Sequence, residues 1–467
     1  MKFSTGPAAL VVLGVLKTAE AHTAFTTFFL NGVSQNDGTC VRMNSDISKA
    51  TFPVRDLSSD DMACGFSGTK GVARVCPAES GAQITFEFRD RPDETDARAI
   101  DPSHKGPCSV YMKKVDSAIK DTASGDGWFK IWDESYDSTA NKWCTEKVND
   151  DNGHLSVNIP KDIAGGYYLV RPELVALHAA ADNPPDPQFY TGCAQIYLQS
   201  NGTAKPTDTV SIPGYVKAGE EAMTYNVWDQ PLKLPYPMYG PPAYKGSDSD
   251  VVSDVEQEPQ NEGFKEPNTV LESGNWCATE LEKYSDEKGC WDTGKKCWNQ
   301  NDECWKADPP TGGRNCKIWE QRCHDINDNC RARNFNGPPN HMKILTPEPS
   351  REELPAPRPG AGGVKGSASS DSSGSPKDSP EPSPDTSEDS QEPASNPPDT
   401  YKAAAKPAPK PKKSPTDSPE PSPTTSGPST TSNASEHSVY TEVNVQTKVI
   451  YETVHAGRHR RHASHKW

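Results

Sequence analysis

Seven cysteines between Trp276 and Cys330 constrain this chain more than any other feature. They stand at 277, 290, 297, 304, 316, 323 and 330, so two triplets repeat at a spacing of seven residues. Seven residues are close to two helical turns, and each triplet therefore lines its sulfurs along one helix face. Asp308-Pro-Pro-Thr-Gly-Gly313, between the triplets, reads as a turn. The pattern predicts a hairpin of antiparallel helices laddered by nested bridges, Cys290 to Cys330, Cys297 to Cys323 and Cys304 to Cys316, with Cys277 unpaired or paired elsewhere. Of the pairings open to six cysteines, only this nested set matches every rung, and a unit so small needs such staples. Close Cys/His pairs of the CxxC kind, which a zinc site requires, are absent. Trp291, Trp298 and Trp305 each follow a cysteine of the first triplet. That stripe reads either as packing for the hairpin core or as a grip for a glycan chain.

The hairpin is one segment of a longer plan. Lys2, the apolar run from Ala8 to Leu16 and the small-x-small Ala19-Glu20-Ala21 read as a signal peptide over residues 1–21, so the protein is expected to be secreted and extracellular. No later stretch is long and apolar enough to span a bilayer. Residues 22–245 carry short alternating runs, Ile84–Phe88, Val110–Met112, Trp128–Trp132 and Leu155–Ile159, between Gly, Asn, Asp and Pro clusters. This is the pattern of an all-β antiparallel sandwich or barrel. An acidic linker is expected over 246–273, the Cys-rich helical module over 274–340, and a disordered Pro/Ser/Thr-rich stalk over 341–436, which holds 20 of the 44 prolines. A basic, His-rich tail over 437–467 follows a strand-like alternation from Val439 to Val454, and its charged end does not suit a GPI anchor. Asn201 and Asn433 are possible glycosylation sites. A net charge of -16 argues against nucleic acid as a partner. Thirteen cysteines in an oxidising compartment are expected mostly as disulfides, one being left over.

Cleavage after Ala21 makes His22 the first residue. A histidine there offers an α-amine and an imidazole that chelate one metal together, and the amine deprotonates at modest cost. A third nitrogen completes a set suited to copper. His104, in the turn-like Asp-Pro-Ser-His-Lys-Gly stretch, is the candidate for it.

Five segments then carry a resemblance in order: His22-Thr-Ala-Phe-Thr-Thr-Phe-Phe-Leu-Asn-Gly, Ser103-His-Lys-Gly-Pro, Tyr168-Leu-Val-Arg-Pro-Glu-Leu-Val-Ala-Leu-His178, Gln188-Phe-Tyr-Thr-Gly-Cys-Ala-Gln-Ile and Val210-Ser-Ile-Pro-Gly-Tyr-Val-Lys-Ala. Together they resemble the fungal AA9 lytic polysaccharide monooxygenases, formerly family 61 glycoside hydrolases, over about half the chain. The Cys-rich unit is similar to C-terminal extensions on some members. The resemblance implies an immunoglobulin-like or fibronectin-III-like β-sandwich and one copper ion per catalytic domain. Its ligands are the amine and ring of His22, the ring of His104 and the distant axial phenol of Tyr190. It makes His178 and Gln188 outer-sphere catalytic groups, Tyr236 and Tyr239 stacking platforms for the substrate, and Cys64 to Cys193 a disulfide. Cys40, Cys76, Cys108 and Cys144 stay unassigned. Pro172 departs from the family, where many members have His, and no cellulose-binding knottin is recognisable.

The implied activity is oxidative cleavage of β-1,4-glucan, cellulose above all, at C1 and/or C4. It draws on a small-molecule or protein electron donor and on O2 or H2O2, and the enzyme is expected to be monomeric. A non-catalytic copper-binding cell-wall protein is the alternative. An endoglucanase needs two carboxylates across a cleft, and no motif singles out such a pair.

Overall fold

The computed structural model describes residues 22–44, 46–95, 97–246, 258–307, 309–351 and 353–358. The expected signal peptide, most of the expected stalk and the expected basic tail lie outside them. Two sheets form the first part of the chain. The smaller runs His154–Asn158, Gln83–Arg89, Ala24–Leu30, Val33–Asp37. The larger runs Val210–Ile212, Gly125–Glu134, Cys108–Val115, Ala164–Ala176, Cys193–Asn201, Val41–Arg42. Gln188–Thr191 pairs with the end of Ala164–Ala176, and Cys76–Glu79 lies beside Cys193–Asn201 as a parallel strand in an otherwise antiparallel sandwich.

Alternation explains the packing, because successive side chains of a strand point to opposite faces. Phe28, Phe86 and Phe88 of the smaller sheet meet Met112, Val170, Leu174 and Ile196 of the larger one in the inter-sheet core. The odd-numbered residues of the long central strand, Tyr167, Leu169 and Val175, point the other way. There they are covered by Tyr225, Tyr236 and Tyr239 from the segment after the last strand. The larger sheet is therefore buried on both faces. Beneath that cover Arg171 and Glu173, both fully buried, form an ion pair at 2.6 Å.

Downstream, Glu287–Ala307 and Arg314–Arg331 are the two helices of the hairpin. Their rungs are Cys290–Cys330, Cys297–Cys323 and Cys304–Cys316, and Cys277 is free. Cys64 is bonded to Cys193, and the four unassigned cysteines pair as Cys40–Cys76 and Cys108–Cys144. One helical face packs Trp319 and Ile326 against Val270, Leu271 and Ala278 of a two-stranded sheet, Thr269–Ser273 with Trp276–Thr279.

Residues 258–273 of the expected linker carry defined structure. Thr269–Ser273 belongs to the helical module, and Asn261 and Glu262 take hydrogen bonds from Tyr167 and Ser117 of the sandwich. The described start of the expected stalk makes defined contacts as well. Ser34 donates its N–H to Ser350 on one edge strand of the smaller sheet, and Arg358 donates its N–H to Ser156 on the other. Both edges gain main-chain partners, which explains why this stretch is fixed in spite of its prolines. No helix among the described residues is long and apolar enough to cross a membrane.

Candidate functional site

Three loops and a short strand bring the candidate residues together at one end of the sandwich. His104 sits in a turn closed by its own N–H to the Asp101 carbonyl and by Ser103, whose hydroxyl donates to Asp101. Two residues on, Gly106 lies so close to the long central strand that a Cβ would stand 1.9 Å from the Val175 carbonyl oxygen. Only glycine allows that approach. Leu177 donates its N–H to Lys105 and Val175 to Pro107, so the loop carrying His104 is zipped to the strand end that carries His178. The two imidazoles meet with centroids 3.9 Å apart, tilted by 30°.

Gln188 and Tyr190 share a face two residues apart on their short strand, opposite Ala176 and Leu174. The Tyr190 hydroxyl donates to Gln188 Oε1 at 2.9 Å, and Gln188 Nε2 donates to Asp186, itself 3.3 Å from Arg55. The Tyr190 ring, closing this end of the inter-sheet core, lies 6.1 Å from that of His104. His22 precedes the first strand, its ring stacked on Phe52 at 4.3 Å and 14°. The neighbouring Thr23 donates its N–H to Thr51 and its hydroxyl to Ala99.

Burial pulls the His104 imidazole down to about pKa 4, and the neighbouring His178 and His22 add to the effect against Asp101. Burial also lowers His178, against the pull of Asp186, Asp182 and Asp101, and its Nδ1 is buried without a hydrogen-bond partner. Both rings are held neutral, the form in which imidazole binds a metal. Among the described residues no three His, Cys, Asp or Glu side chains form a ready-made metal cluster. The copper set expected above does not ask for one, since two of its three nitrogens would come from His22 alone.

Tyr236 and Tyr239 are not at this surface. They are 4% and 5% exposed, and their hydroxyls donate to the Ala222 carbonyl and to Glu173 Oε1. Their rings cover the outer face of the larger sheet, and neither has a face open to a glycan. Trp228 takes the exposed position instead. It is 51% exposed, its indole N–H donates to the His178 carbonyl at 2.9 Å, and Lys105 Nζ lies 5.8 Å from its ring. Sequence reasoning missed Trp228, as it missed Phe52, since a single aromatic in a polar loop has no periodicity to mark it. Pro172, the departure from the family, accepts a hydrogen bond from Thr191 through its carbonyl.

The fold and the site define an antiparallel β-sandwich that carries two neutral histidines beside a buried Tyr–Gln pair at one end. Auxiliary Activity family 9 (formerly GH61) matches residues 22–239. AA9 family lytic polysaccharide monooxygenase H of Botryotinia fuckeliana is 52% identical over 348 residues, covering 73% of this chain and 79% of its own. AA9 family lytic polysaccharide monooxygenase C of Aspergillus tamarii is 52% identical over 340 residues, 71% of this chain and 91% of its own. Among solved structures, CvAA9A aligns at 28% identity over 48% of this chain and 98% of its own, with a TM-score of 0.43. The chain belongs to the AA9 lytic polysaccharide monooxygenases, a family of copper-dependent enzymes. The likeness to the two relatives is too long to be confined to the sandwich and takes in the downstream module as well.

Proposed function

We propose that the chain is a secreted monooxygenase that cleaves β-1,4-glucan oxidatively at C1 and/or C4. The copper would be held by the α-amine and ring of His22 and the ring of His104, with the Tyr190 phenol as a further group beside them. The observation that carries this reading is the convergence of His104 and His178 at 3.9 Å beside the Tyr190–Gln188 hydrogen bond, with an exposed indole tied to the His178 carbonyl. Neutral imidazoles and a His22 freed at its amine by processing fit copper. When bound, the metal supplies the redox chemistry that activates O2 or H2O2 after reduction by an external donor.

The residues around it have separable tasks. Asp186 holds the Gln188 amide so that its oxygen accepts from Tyr190, which fixes the orientation of the phenol. Such partners orient ligands and tune a metal. His178, its Nδ1 unpartnered, is placed to give or take a proton beside His104. Trp228 offers an open ring on which a pyranose face stacks, so it takes the substrate-facing role expected of Tyr236 and Tyr239. Bond scission then needs no paired carboxylates, because hydroxylation at C1 or C4 destabilises the glycosidic link.

The test is mass spectrometry of products released from swollen cellulose by the copper-loaded protein whose N-terminus is confirmed as His22, with and without ascorbate. Aldonic acids or 4-keto sugars formed only with reductant are expected, and their identity gives the position of attack. Absence of oxidised products across several glucans overturns the reading and leaves a copper-binding wall protein.

A further inference from the structure

The tryptophan stripe of the hairpin is the feature that the active site does not absorb. The buried interior of the hairpin is built from Trp319, Ile326 and Leu271, and of the stripe Trp298 packs against it while Trp291 and Trp305 do not. Trp291 and Trp305 are 41% and 39% exposed, and Trp298 is half-buried. Two of the three rings are fixed by neighbours. Trp298 meets His324 edge-on at 4.9 Å, and Trp305 lies over Gly313, where a Cβ would stand 2.5 Å from the indole.

The second helix answers in register. The residue after each of its cysteines, Lys317, His324 and Arg331, is exposed. The Trp298–His324 contact shows that the indole row and this basic row share one face. Each disulfide rung is thus followed by an indole on one helix and a basic group on the other.

From this face we infer a second carbohydrate-binding surface, which takes the flat ribbon of a β-1,4-linked hexopyranose chain and, within that class, glucan. The first ground is dimensional. Indoles seven residues apart are about 10.5 Å apart along a helix that rises ~1.5 Å per residue, close to the roughly 10 Å length of two ribbon-linked sugars. Every second sugar turns the same face to the row, so each ring meets an equivalent pyranose face. The second ground is polar complementarity. Lysine and arginine donate and do not accept, which suits the hydroxyl and ring oxygens along the edge of the ribbon. The third is rigidity, since three disulfides hold both rows and little side-chain freedom is lost on binding. The surface would hold the enzyme on solid substrate, a task usually left to a separate binding domain.

The choice of glucan rests on the function proposed above, and the test keeps the two apart. Binding isotherms of the full chain are measured on microcrystalline cellulose and on chitin, with metal chelated and no reductant present. Wild type is compared with Trp291→Leu/Trp305→Leu, which keeps apolar cover over Gly313 but removes two flat faces. Melting temperatures report that the hairpin remains folded, and Trp291→Leu alone provides an intermediate. The expected result is a drop in cellulose affinity of about tenfold or more in the double variant, with unchanged oxidation of a soluble cello-oligosaccharide. Loss on both polymers also supports recognition of the ribbon. Wild type that does not bind cellulose, a double variant that binds it as wild type does, or a loss confined to chitin overturns the inference. Failure of the active-site reading shows separately, as wild type that releases no oxidised sugars.

Discussion

At the scale of single residues, Trp228 and the Arg171–Glu173 pair make opposite predictions. Trp228 is exposed, and its side chain makes two contacts with charged or polar groups, through its indole N–H to the His178 carbonyl and through Lys105 near the ring. Trp228→Ala is expected to raise the KM for polysaccharide about tenfold, because a stacking face worth roughly 1 kcal/mol or more is lost. Copper affinity and melting temperature should stay within error. Trp228→Phe separates the two contacts: if it restores KM, the ring surface matters, and if it does not, the anchor on His178 does. Glu173 is buried with its partner. Its carboxylate takes Arg171, the Tyr215 hydroxyl and the Tyr239 hydroxyl. Glu173→Ala strands a guanidinium in the interior, and the expected loss in equilibrium denaturation is about 3–5 kcal/mol. A loss below ~1 kcal/mol would mean that water or another carboxylate reaches Arg171.

At the scale of elements, the central rung of the hairpin closes a loop of 26 residues. Replacing Cys297 and Cys323 by serine is expected to lower the stability of the helical module by about 2–4 kcal/mol, measured by hydrogen exchange across both helices. Unchanged protection would show that Trp319 and its partners suffice. This ladder was legible in the sequence because its information is local: heptad spacing sets a face, and antiparallel pairing sets the rungs. Cys40–Cys76 and Cys108–Cys144 were not legible, although each spans 36 residues. Their partners are chosen by the order of strands, which no spacing encodes. The same limit explains Tyr236 and Tyr239. A Pro-rich stretch reads as surface loop, yet Arg171 and Glu173 on the outward face of the central strand need cover, and those tyrosines supply it. His104 is suggested by its turn-like setting, whereas His178, Gln188 and Tyr190 are marked only through the family resemblance of their segments, since a histidine after an apolar run and a tyrosine in a strand carry no local mark of their own. Phe52 and Trp228 reach the site only through the fold.

At the scale of the whole described chain, the downstream module is tied to the sandwich by a few polar contacts, and their chemistry sets a pH at which it should loosen. Glu272 accepts from Arg74 at 2.7 Å and from Lys265, while Asn275 and Gly274 bond the loop around Cys40. Within the module, Glu280 accepts from Arg322 at 2.6 Å and from the N–H groups of Leu281 and Met342. Burial alone would raise both carboxyls, but hydrogen bonds from Lys265 and Arg74, and from Met342, Leu281 and Arg322, outweigh it and hold both below the ordinary value. A carboxyl with a lowered folded pKa takes up its proton more readily when released. Its stabilising effect is therefore complete above the usual carboxylate pKa of about 4.3 and is lost as pH falls through the lowered value. The expected outcome is that amide protection in residues 269–279, corrected for intrinsic exchange, holds from neutral pH to about pH 4.3 and declines below it. Arg74→Met should reduce the Glu272 share of that dependence, Lys265 remaining as its partner, and leave the Glu280 share. Protection that stays level to about pH 2 would mean that the apolar contacts around Leu271 and Trp319 hold the module by themselves.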